Sequence, residues 1–147
     1  MKTKQVKAKY QAWLSSETIH NNTLKWLSEL NFAKDEQLFF NDLVKSYTLQ
    51  LIDSKYFLES KKIIDQLRAL QKINNTLINK VMDHKNGLII MIDGINQLKE
   101  ENAYKDHHAK LIITISKFLE QYRTLKSQLF SLVTGIIKEG KQKRLLQ

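Results

Sequence analysis

An all-α fold is predicted for this chain by three observations. Its 147 residues include no proline and only four glycines, one helical heptad holds from residue 63 to residue 98, and a second follows after residues 99–103. The first seam reads Ile63, Leu67, Leu70, Asn74, Leu77, Val81, His84, Leu88, Met91, Ile95, Leu98, with spacings that alternate four and three, as burial of one helical stripe requires. The second reads Tyr104, His108, Leu111, Ile115, Phe118, Tyr122, Leu125, Leu129, Leu132, Ile136. Two long helices joined by so short a connection run antiparallel. The expected architecture is an antiparallel four-helix bundle, a short helical hairpin packed on this longer, coiled-coil-like hairpin.

Residues 1–15 are lysine-rich and weakly patterned, and read as a mobile arm on which Trp13 and Leu14 could dock. Helix one is expected to begin at Ser15 or Ser16, whose hydroxyl caps it, with Glu17 in a first turn favoured by the dipole. Its apolar face is Ile19, Leu24, Trp26, Leu27 and Leu30. After Asn31-Phe32-Ala33 the acidic pair Asp35-Glu36 suits the first turn of helix two, whose stripe is Phe40, Val44, Tyr47 and Leu51 and which ends near Asp53 or Ser54. Tyr56, Phe57 and Leu58 are expected to pack the corner before helix three. No stretch shows strand alternation bounded by turn residues, and there is no internal repeat. The domain therefore spans 16–138, followed by a basic tail over 139–147.

The segment from Trp26 to Glu36, Trp-Leu-Ser-Glu-Leu-Asn-Phe-Ala-Lys-Asp-Glu, resembles the opening hairpin of small, uncharacterised helical proteins of bacteria. The resemblance implies a helical hairpin at this position and no activity.

Helix three, read as residues 59 to 100, is about 60 Å long, against about 25 to 35 Å for helices one and two. The short hairpin then covers only half of the long one. With the turn near residue 101, Leu88, Ile89, Ile90, Met91 and Ile92 face Leu111, Ile112, Ile113 and Ile115, and on to Phe118 and Leu119. Both segments are apolar around more of the helix than one partner covers, and an apolar patch of this size marks an interface. Leu88, Ile89, Ile90, Ile92, Ile112, Ile113, Phe118 and Leu119 are accordingly the expected self-association residues of a homodimer. The competing reading breaks helix three at Asn86-Gly87 and folds residues 88–100 back into a compact monomer.

The formal charge is +9, and seven of the nine lie in the terminal segments. Lys2, Lys4, Lys7 and Lys9 carry the first, and Lys138, Lys141, Lys143 and Arg144 against Glu139 the second. In an up-down four-helix bundle both termini lie at one end, where a basic cluster favours nucleic acid or anionic lipid headgroups. Solubilising tails are the plain alternative, because lysine dominates and no aromatic platform is interleaved.

The absence of cysteine removes disulfides, thiolate zinc sites and a cysteine nucleophile. Glu17 and His20 have the Glu-x-x-His spacing that di-iron bundles use twice, but it occurs once here, and Asp106, His107 and His108 read as the polar start of helix four. No phosphate loop or nucleophile elbow is present. No catalytic residue, cofactor, metal or small-molecule substrate is expected.

Asn74 and His84 occupy seam positions. Buried, an Asn fixes register or partner choice and a His makes association depend on pH; at the seam edge both simply reach water. Gly94 inside helix three permits close helix approach at about 1 kcal/mol relative to alanine. The longest apolar run, 88–92, is far shorter than the roughly 18 residues of a membrane span, and the lysine-rich start leads into no apolar segment, so a cytoplasmic protein is expected. The functional expectation is a non-enzymatic interaction or scaffold module that pairs with itself or with another helical protein. Its alternative is a binder of nucleic acid or anionic membranes through the basic termini.

Overall fold

The computed structural model describes residues 15–53, 55–93 and 98–146, with backbone alone for 89–93 and 98–99. The chain is an all-α bundle, as the periodicity predicts. Four helices are present among the described residues: α1 (Ser16–Ser46), the single turn α2 (Thr48–Leu51), α3 (Phe57–Asp93) and α4 (Leu98–Leu146).

Ser15 caps α1, its hydroxyl accepting the Thr18 amide at 3.1 Å, and Glu17 sits in the first turn. The expected break at 31–33 is absent. One helix of 31 residues runs through it, buried at Ile19, Thr23, Trp26, Leu30, Ala33, Gln37 and Phe40. Those positions keep the same four-three alternation as the other seams. The hairpin implied by the bacterial resemblance is therefore not formed; Asp35 and Glu36 lie within α1, and the turns come later, at Tyr47 and at residues 52–53 and 55–56.

The merger changes the topology. The bundle has three long helices, α1 antiparallel to α3, α3 antiparallel to α4, and α1 consequently parallel to α4. Asn74 Nδ2 donates to the Leu30 carbonyl at 3.1 Å, and Gln71 Nε2 to Asn41 Oδ1 at 2.8 Å, which sets α1 against α3. His84 faces His108, and Tyr56 faces Glu139, which sets α3 against α4. This register differs from the expected one because α4 begins at Leu98, several residues earlier than residue 104.

At about 1.5 Å per residue α1 is about 45 Å long, long enough to reach the end that the short hairpin left bare. Ile19 packs there with Leu88 and Tyr104. The rest of the interior is one cluster, in which Leu67, Leu70, Leu77 and Val81 of α3 meet Leu111, Ile115, Phe118, Leu125 and Leu129 of α4 and Trp26, Leu30 and Phe40 of α1. Helix α3 is continuous through Asn86-Gly87, so the folded-back monomer is not formed. The expected tail over 139–147 is helical as far as Leu146. Among the described residues no helix is long and apolar enough to cross a membrane.

Candidate functional site: the α1/α4 face and the histidine ladder

The backbones of α1 and α3, and of α3 and α4, approach closely along their lengths, whereas those of α1 and α4 hardly do. Large side chains bridge the wider gap. Trp26 stacks on His108 with ring centroids 4.6 Å apart, and Phe40 meets Phe130 edge-on at 5.6 Å and Tyr122 at 6.4 Å. Above them runs a groove of about 420 Å³, lined by Ser28, Glu29, Phe32, Ala33 and Glu36 of α1 and by Leu119, Tyr122, Arg123 and Lys126 of α4.

Polar clamps hold the groove floor. The Tyr122 hydroxyl donates to Glu36 Oε1 at 2.8 Å, and Lys126 Nζ pairs with the same carboxylate at 3.0 Å. Burial, then the hydrogen bond and charge of Glu36, push the Tyr122 phenol well above its ordinary range, so it remains a donor. Beside the groove, Phe32 and Phe39 stand one heptad apart on α1 and are 65 % and 56 % exposed, with Phe130 of α4 also exposed. Leu119 and Ile112 are half-buried against the core along the same flank.

At the end of the bundle holding Leu88 a ladder of rings crosses all three helices. Asn22 Nδ2 lies 3.4 Å from His108 Nε2, and His108 Nδ1 lies 2.8 Å from His84 Nε2. An amide nitrogen only donates, so His108 accepts at Nε2 and carries its hydrogen on Nδ1, which donates to His84. His84 then holds its own hydrogen on Nδ1, which has no partner among the described residues. Tyr104 stacks on His84 at 4.3 Å and donates its hydroxyl to the His84 carbonyl.

Both imidazoles are buried. Burial lowers each from 6.5 to about 4, with positive repulsion from the neighbouring histidines adding to it, so the pair is neutral. Burial likewise pushes Tyr104 up to about 12. The expectation that His107 and His108 form the polar start of helix four is corrected: both lie within α4, and His108 converges with His84. Among the described residues no group of three or more His, Asp or Glu is placed to hold a metal ion.

The expected self-association residues are dispersed. Leu88 and Phe118 are buried within the monomer, Ile112 and Leu119 are half-buried against the core, and Ile113 is exposed on the outer face of α4. The side chains of Ile89, Ile90 and Ile92 lie outside the described residues, as does Gly94. The physical reason, for Leu88, is the length of α1, which brings Ile19 against it. Asn74 and His84 are buried rather than at the seam edge.

Helix parity places the start of α1 and the end of α4, which were expected to share one end, at opposite ends. With three long helices, α1 starts beside Leu88 while Lys138, Lys141, Lys143 and Arg144 sit at the opposite end, near Tyr56. Lys2, Lys4, Lys7 and Lys9 lie outside the described residues.

Sequence reasoning gave Phe32, Phe39 and Phe130 no role, because each lies beside a seam rather than in it. The signal was Phe32 and Phe39, apolar residues seven apart and off the seam. No known protein family, curated protein or solved structure matches the chain.

Proposed function

We propose that the protein is a non-enzymatic helical interaction module of the cytoplasm that pairs with a second copy of itself through the α1/α4 face. The observation that carries this reading is the pair Phe32 and Phe39, exposed beside the one helix pair whose backbones do not close. Exposed aromatic anchors beside a groove of mixed apolar and charged walls are a common composition of a protein contact.

Charge favours a second copy as the occupant. Helix α1 carries five acidic and three basic residues, whereas α4 carries ten basic and five acidic. A two-fold axis running along the bundle between them lays α1 of one copy over α4 of the other, so the unlike helices face each other. Light scattering tests the reading. The wild type is expected to be dimeric in the micromolar range, and Phe32→Glu with Phe39→Glu to be monomeric with unchanged helicity. A wild type still monomeric at about 100 µM, a concentration at which even a modest interface associates, overturns it.

A further inference from the structure

We infer that the end of the bundle formed by α2, the start of α3 and the last turns of α4 is a docking tip for anionic lipid bilayers. Tyr56, Phe57 and Leu58 were expected to pack the corner before α3. Tyr56 does pack there, but Leu58 of α3 and Leu49 of α2 are each 80 % exposed, and Ile52 beside them is exposed as well. Leu145 and Leu146 project from α4 at the same end and are also exposed. Leucine and isoleucine on so short a stretch of surface gain nothing from water and gain from acyl chains.

Among the described residues the charge of this end is distinctive. Residues 42–62 and 136–146 hold eight basic and four acidic side chains, whereas the opposite end, residues 16–24, 84–93 and 98–110, holds four basic and five acidic. The corner itself removes the one acid among residues 136–146. Glu139 accepts the Tyr56 hydroxyl and pairs with Lys55 at 3.4 Å. Lys138, Lys141, Lys143 and Arg144 are left in excess on the last turns of α4, which also carry Leu145 and Leu146, and Lys141, Lys143 and Arg144 lie beside Tyr47 and Gln50. Aliphatic points ringed by lysine match a bilayer whose headgroups are negative. They match nucleic acid less well, because the most exposed side chains have no π face on which a base could stack. The tip lies on the membrane rather than across it, since none of the described helices is long and apolar enough to span.

Co-sedimentation with phosphatidylcholine vesicles, with and without roughly 30 % phosphatidylserine, tests the proposal. Binding is expected only with the anionic lipid, falling by about tenfold or more between roughly 50 and 300 mM salt as screening sets in. Leu49→Asp with Leu58→Asp should weaken it by a further tenfold or more, with circular dichroism and light scattering unchanged. Equal binding by that variant, equal binding to neutral vesicles, or retention of a DNA duplex without vesicle binding each overturns the proposal. Repeating the assay in the Phe32→Glu, Phe39→Glu background keeps it separate from pairing through the α1/α4 face, since the leucine substitutions are expected to reduce vesicle binding there too.

Discussion

His108 donates its Nδ1 hydrogen to Nε2 of His84 across 2.8 Å in the dry interior, tying α4 to α3 through two neutral imidazoles. Among the described residues no buried carboxylate stands ready for a second proton on either ring, and Trp26 and Tyr104 occupy the space on the ring faces.

The bundle should therefore lose stability on acidification. In the unfolded chain both imidazoles titrate near 6.5, and in the fold near 4, so between these values the unfolded state holds more protons. The contribution is fully present above about pH 7 and is lost as pH falls through that window, by a few kcal/mol for the pair. Urea unfolding at pH 7.5, 6 and 5 measures it, and the double variant His84→Phe, His108→Phe should flatten the dependence.

Continuity of α1 is tested with proline. Asn31 is exposed in mid-helix, so Asn31→Pro removes a hydrogen bond and clashes with the preceding turn, costing about 3 kcal/mol or more. A connecting loop at this position would tolerate the change within a few tenths of a kcal/mol, and a small shift in the denaturation midpoint would contradict the continuous helix.

Asn74 donates to the Leu30 carbonyl while its own Oδ1 is left without a partner. A half-satisfied buried amide contributes little, so Asn74→Leu is expected to be neutral or to stabilise by about 1 kcal/mol. The expected loss is in the fixing of α1 against α3, read as broadened methyl and amide resonances in that region. Asn74→Ala, which leaves a cavity, should instead destabilise by about 1 to 3 kcal/mol.

Gly135 and Gly140 lie inside α4 with nothing within 4 Å of the place a Cβ would occupy. Alanine at either position should stabilise by about 0.5 to 1 kcal/mol, because glycine pays more backbone entropy in a helix and no close approach needs it here. Thermal unfolding of the double variant should show an increase of several degrees.

The two long seams were legible residue by residue. From Ile63 to Leu88 and from His108 to Ile136 each assigned seam position is buried, because a leucine-rich stripe leaves little freedom in helical phase. The seam of α1 was hidden by its own chemistry. Thr23, Ala33 and Gln37 occupy buried positions without looking apolar, and Asp35-Glu36 imitates a helix start. That one missed connection propagated: it shortened α1, left Leu88 without the Ile19 that packs on it, and placed the start of the first helix and the end of the last at one end. The histidine pair was hidden for a different reason. With the turn placed a few residues late, His84 faced Leu119 instead of His108, and only the three-dimensional register brings the rings together.

An odd number of long helices makes the molecule a strut with two unlike ends. A segment joined ahead of Ser15 departs beside Leu88, while the leucine and lysine crown lies about 45 Å away, at the far end of α1. If that crown rests on a bilayer, the bundle stands as a spacer, holding whatever is attached at its other end well beyond the reach of the lipid surface potential, which decays over about 8 Å at physiological salt.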